Sequence, residues 1–171
     1  MSAIVIDTNV LLVADGKAKQ MSDVCVQECL SRLERVKSHE QVVLDRAWII
    51  LGEYHNKLSP NHSPTPGSAF LKWLLQVQGV AKHVSQVKIT PKNGDQTLFV
   101  EFPPDQELEK AFDPADRKFI AASNAHPEKP PVLQSADSKW LAWEKKLAAY
   151  GIRLEILCRC ELEAIHKRKQ K

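Results

Sequence analysis

The chain repeatedly sets a short aliphatic run, a polar or glycine-bearing loop and a stretch of helical spacing one after another. Residues 3–6 (AIVI), 41–44 (QVVL), 132–134 (VLQ) and 152–158 (IRLEILC) read as strands. Residues 22–37 read as a helix, with Ser22 as N-cap and Val24, Cys25, Cys29, Leu30, Leu33 and Val36 at helical spacing. Asp45 is placed to cap a helix carrying Ala47, Trp48, Ile50, Leu51 and Tyr54, and residues 68–80 form another. Asp113-Pro114 opens a helix that runs to Asn124, residues 139–150 form one that stops at Gly151, and a basic helix follows the last strand. Strands that alternate with helices pair in parallel, because a parallel pair needs a long crossover between its members. The expected fold is therefore α/β, a three-layer α/β/α sandwich around a central, mainly parallel sheet.

Two stretches interrupt that rhythm. Residues 59–67 (SPNHSPTPG) hold three prolines and a glycine and read as an inserted loop. Residues 84–90 and 97–102 alternate like strands on either side of Pro91-Lys92-Asn93-Gly94, where Asn-Gly favours a tight turn, so 84–102 reads as an inserted β-hairpin or arm. The expected organisation is one domain over residues 1–158 and a basic C-terminal helix or tail over 159–171. No apolar run reaches the roughly 18 residues needed to span a bilayer, and the first residues lack the pattern of a signal peptide. No membrane partner and a cytoplasmic location are expected. In that compartment the four cysteines, Cys25, Cys29, Cys158 and Cys160, are expected to be free and mostly buried, since neither pair has the two-residue spacing of a zinc knuckle. Trp73, Trp140 and Trp143 fall among leucines at helical spacing and read as core or dimer packing, and the apolar segment LKWLLQVQGV is a candidate homodimer face.

Parallel sheets collect their ligands at the carboxyl ends of their strands. Asp7 ends the first strand and Asp137 follows the strand at 132–134. Asp116 lies in the first turn of a helix starting from the same edge, and Glu53 is embedded in the nearly continuous apolar helix RAWIILGEYHNKL. Each has an ordinary role available: a helix cap for the aspartates, with Asp113 the more natural cap in DPAD, and an ion pair with Lys57 for Glu53. Together, four carboxylates at one end of one sheet repel unless divalent cations hold them.

Ile4-Val5-Ile6-Asp7-Thr8-Asn9 resembles the opening strand of PIN-domain ribonucleases, in which a hydrophobic strand runs into Asp-x-Asn. Glu53, Asp116 in D-x-x-F-I-A-A and Asp137 in S-A-D-S-K-W follow in the order of that family's acidic quartet. The resemblance covers most of the chain and is weakest at the hairpin, the proline-rich loop and the basic tail. It implies a PIN-like nuclease that cuts single-stranded or looped RNA by attack of a metal-activated water, with Asp7, Glu53, Asp116 and Asp137 binding one or two Mg2+ or Mn2+ ions. It also implies support from Thr8, Asn9 and Ser135, and a kinship with toxins of VapC type, whose partner is a cognate antitoxin. Where some members carry a further acid two residues after the last one, this chain has Lys139. That departure keeps a second expectation open: a catalytically weak PIN-fold module that binds RNA or protein.

The charge distribution fits an RNA partner. The formal net charge is +3, and residues 159–171 alone carry a surplus of three cations, leaving the body neutral. With four acids committed to a pocket, the rest of the body is basic. Lys139, Arg117, Lys167, Arg168 and Lys169 are the candidate phosphate contacts.

Overall fold

In the computed structural model, which describes residues 1–58 and 64–171, the aliphatic run at the start of the chain forms strand β1 (Ser2–Ile6). Its neighbours in the sequence are helices α1 (Thr8–Ala14) and α2 (Asp23–His39), then β2 (Glu40–Asp45), α3 (Ile49–Leu58), α4 (Pro66–Val77) and β3 (Val84–Val87). A small antiparallel pair, β4 (Pro91–Lys92) and β5 (Asp95–Phe99), precedes α5 (Gln106–Ala111), a 3-10 turn over Pro114–Asp116 and α6 (Arg117–Ala125). The chain finishes with β6 (Val132–Gln134), α7 (Trp140–Ala149), β7 (Leu154–Ile156) and α8 (Arg159–Lys169).

Five strands pair in the order β3-β2-β1-β6-β7, all parallel, and helices flank the sheet. The expected α/β class with a parallel central sheet holds. Ile4, Val5 and Ile6 are fully buried, as fits a central strand covered on both faces. The order also fixes where ligands go. From β1 the chain builds outward through β2 to β3 on one side, then returns to β6 and β7 on the other. The order in which the chain adds strands therefore reverses between β1 and β6, and the crevice outside their carboxyl ends is the switch point of an open α/β sheet.

Local chemistry explains the element starts. Ser22 Oγ accepts from the backbone of Cys25 and caps α2. The buried Asp45 carboxylate accepts from the backbone N–H of Ala47, Ile49 and Ile50 at 3.1, 2.9 and 2.8 Å, so it starts α3. Helix α4 begins at Pro66, two residues before the expected start, because Thr65 forms a capping box with Ser68. Asp15 accepts from Thr65 Oγ1 at 2.9 Å and from the Gly67 backbone. A Cβ on Gly67 would lie 2.6 Å from the carbonyl oxygen of Leu11, so glycine permits this close approach of α4 to α1. Of the expected proline-rich loop, residues 59–63 lie outside the described residues and residues 66 and 67 are helical.

Three expectations are corrected. Residues 84–87 are not an arm of the hairpin: they form β3, parallel to β2 with Val42 opposite Val84, and only 91–99 folds back on itself around Asn93-Gly94. Two-residue alternation reads the same in an edge strand of the main sheet and in an isolated hairpin, so periodicity alone did not separate them. Helix α5, capped by Asp105, was not anticipated. The cysteines are not all free: Cys25 and Cys158 are disulfide-bonded across 133 residues, leaving Cys29 buried and Cys160 exposed as thiols.

Candidate metal centre

The end of β1 sets the first carboxylate. Asp7 N donates to the carbonyl of Leu133 in β6 at 2.9 Å, so the residue is still held by the sheet when α1 begins. Its Oδ1 caps α1 through the N–H of Asn9 at 3.4 Å. Its Oδ2 is buried without a hydrogen-bond partner. Burial first, then the charges of Asp116, Glu53 and Asp137, push its carboxyl well above the ordinary aspartate range.

On the other side of the switch point, β6 runs into Ser135-Ala136-Asp137. The buried Gln134 amide donates to the carbonyls of Ser135 and Asp137 at 2.9 and 3.0 Å, and Ala136 is held at φ 73°. A left-handed alanine costs about 1 kcal/mol and here turns the chain so that Asp137 leaves the sheet at its edge. Asp137 Oδ1 accepts from the backbone of Lys139 at 3.0 Å.

Aromatic packing brings in the third segment. Phe112 sits with its ring centroid 5.1 Å from Trp140 and 4.0 Å from Trp143, both of α7. That contact fastens the turn beginning at Asp113 beside the residues that follow Asp137, since Asp113 is next to Phe112 and Trp140 is three residues from Asp137. Carboxylate oxygens of Asp113, Asp116 and Asp137 consequently lie within 4.8 Å of one another. Burial, and next the Asp137 carboxylate, push Asp116 up to about 7.

Glu53 is held apart from this group by a residue that sequence reasoning missed. Lys118, a buried residue of α6, donates from Nζ to Glu53 Oε2 and to the carbonyl of Ala115, and Thr8 Oγ1 donates to Glu53 Oε1 at 2.5 Å. The ion pair with Lys57 is not formed; Lys118 takes that place. A cation inside the buried stretch 117–123 was the available signal, because a lysine there needs a partner. Asp113 was likewise read only as a cap, yet it makes no side-chain cap bond and instead accepts from Lys139 Nζ at 3.1 Å. Five carboxylates thus face two ammonium groups, those of Lys118 and Lys139.

The supporting residues divide. Asn9 lines a groove of about 420 Å³ beside Asp137, together with Lys17, Lys139 and Lys169. Ser135 does not reach the carboxylates: its buried hydroxyl lies 3.6 Å from Cys25 Sγ and 4.0 Å from Cys158 Sγ, because its side chain points away from the edge that Asp137 occupies. Arg117 is not free for a phosphate either, as its guanidinium is buried and donates to the carbonyls of Glu109 and Thr97 at 3.0 and 3.2 Å. Lys167 and Arg168 are exposed on the last turn of α8.

These donors fit a hard divalent cation. All are carboxylate oxygens, Asp7, Asp116 and Asp137 stand in no ion pair among the described residues while Glu53 and Asp113 pair with Lys118 and Lys139, and one buried oxygen, Asp7 Oδ2, has no partner of its own. No helix among the described residues is long and apolar enough to cross a membrane. Comparison of the chain with protein-family models, curated proteins and solved structures returns no match.

Proposed function

We propose that this chain is a divalent-metal-dependent endoribonuclease of PIN-like architecture. The observation that carries the reading is the convergence of Asp113, Asp116 and Asp137, from two separate segments, within 4.8 Å at the β1–β6 switch point, above the partnerless Asp7 Oδ2. Asp7, Asp116 and Asp137 would hold Mg2+ or Mn2+, with Asp113 at the margin and Glu53 behind them. Bound there, the ion supplies an activated water and neutralises charge that grows on the phosphoryl oxygens.

The chain's own residues do the rest. Lys118 and Thr8 hold Glu53 in place through hydrogen bonds to both of its carboxylate oxygens, so it stands behind the pocket without a mobile side chain. Lys17, Lys139 and Lys169 line the adjoining groove and bind backbone phosphates on either side of the scissile bond. An open groove rather than a deep hole suits a single strand, whose bases need not be paired.

The test is cleavage of a generic single-stranded RNA in Mn2+ against chelator. Asp7→Asn and Asp137→Asn are each expected to abolish the metal-dependent cut without lowering the melting temperature, and activity retained in both overturns the assignment. A second reading, the catalytically weak RNA-binding module, draws on the Lys139–Asp113 pair, which already places a cation at the rim of the acidic group. Mn2+ binding and RNA retention with no cleavage at any metal concentration would select it.

A further inference from the structure

Cys25, Cys29 and Cys158 bring three sulfurs within 4.8 Å of one another behind the strand end that carries Asp137. Two of them are joined, and a cavity of about 350 Å³ opens beside the joined pair, lined by Val24, Cys25, Glu28, Ile156, Cys158 and Cys160. We infer that the Cys25–Cys158 bond is a thiol–disulfide exchange site that takes a small external thiol through this cavity. The inference is independent of any reading of the acidic group.

Exposure and helix position decide which sulfur is attacked and which leaves. Cys158 is 9% exposed as a residue and Cys25 only 1%, which makes Cys158 the more accessible end of the bond and the one an incoming thiolate should attack. Cys25 occupies the third position of the 17-residue helix α2, where the positive end of the helix dipole favours a thiolate, and the Ser135 hydroxyl 3.6 Å away is placed to donate to it. The internal alternative is weak. Cys29 lies one turn deeper, fully buried, and burial pushes its thiol up to about 11, which leaves almost no thiolate at neutral pH.

The chemistry balances with two equivalents of thiol. The first thiolate bonds to Cys158 Sγ, the Cys25–Cys158 bond breaks, and Cys25 departs with the electron pair and takes up a proton. A second thiolate then attacks the mixed disulfide, releasing the external disulfide and the Cys158 thiol. The protein disulfide is reduced and the two external thiols are oxidised.

Opening the bond removes a strap. Cys158 is the residue before α8, at φ 58°, and the bond ties it to the first turn of α2. Two contacts remain across that joint: Glu161 accepts from Ser22 N at 2.6 Å and Ser22 Oγ at 2.7 Å, and Glu28 Oε1 accepts from Cys158 N at 3.2 Å.

Wild-type protein oxidised with glutathione disulfide, then opened with 2-mercaptoethanol under native conditions and quenched by alkylation, tests this. Peptide mapping of the oxidised protein is expected to join the Cys25 and Cys158 peptides. Opening should run about tenfold faster for about tenfold more thiol, as native-state attack requires, with the trapped mixed disulfide on Cys158. Hydrogen exchange in residues 159–169 should rise about tenfold or more after opening while β1 stays protected. Cys29→Ser and Cys160→Ser should keep the whole response. A rate that plateaus with thiol concentration marks a structural bond opened only by unfolding and overturns the inference, as does a mixed disulfide on Cys25, loss of the cross-link in Cys29→Ser, or unchanged exchange in α8.

Discussion

Asp116→Asn is expected to stabilise the metal-free protein at alkaline pH. Burial and the Asp137 carboxylate raise Asp116 from an ordinary value of 3.8 to about 7. The folded chain therefore keeps a proton on Asp116 where the unfolded chain has released it. Stability is full below about pH 4 and falls as pH rises toward 7, the direction required when a folded-state acid is weakened. At about 1.4 kcal/mol per pH unit the ceiling is roughly 4 kcal/mol, and partial exposure of the group reduces it to about 2 kcal/mol. In a chain of this size 1 kcal/mol moves the midpoint by about 2–4 °C. In chelator at pH 8, thermal scans should place the asparagine variant about 4–8 °C above wild type, and at pH 4 the two should coincide. Added Mn2+ should reverse the order, because only the wild type gains a ligand. A variant that melts lower at pH 8 in chelator, or whose gain is the same at both pH values, would refute the argument.

Lys118, Lys139 and Ala136 around the group give three more expectations. Lys118→Met leaves Glu53 without its partner and should lower stability in urea titrations by about 2–3 kcal/mol; adding Glu53→Gln should restore most of the loss, and a single variant within about 0.5 kcal/mol of wild type would show the pair to be idle. Lys139→Ala frees Asp113 and should raise Mn2+ affinity about threefold in calorimetry, a small factor because the pair is exposed, while lowering the salt slope of RNA binding by about 1. Ala136→Gly removes the cost of a left-handed alanine, and the melting temperature should rise by a degree or two, offset in part by the flexibility of an unfolded glycine.

Local pattern carried most of the fold. The strands at 3–6, 41–44 and 132–134 and the cap at Ser22 follow from hydrophobic period and capping chemistry, both of which act within a few residues. Residues 84–87 show the limit, because nothing local says whether an alternating run pairs with its sequence neighbour or with a strand forty residues earlier. Helix α5 shows another: six residues between Asp105 and Phe112 are too few for a periodic signal, and one buried leucine anchors them.

The same division runs through the acidic group, and it bears on what holds that group together. Asp7 and Asp137 were legible because a strand end announces itself, but the long-range pairings around them were not. Lys118 reaches Glu53 across 65 positions, Lys139 reaches Asp113 across 26, and Cys25 reaches Cys158 across 133. Treating the carboxylates as uncompensated overstated their repulsion. With Lys118 buried against Glu53 and Lys139 exposed against Asp113, the charge that remains unbalanced belongs to Asp7, Asp116 and Asp137. Burial and mutual repulsion raise the carboxyls of the first two, which favours their protonated forms. A divalent ion replaces those protons at one stroke, so metal affinity should rise with pH through the same window in which the metal-free fold loses stability. Mn2+ binding that is flat between pH 5 and pH 8 would place the ion elsewhere than on Asp116.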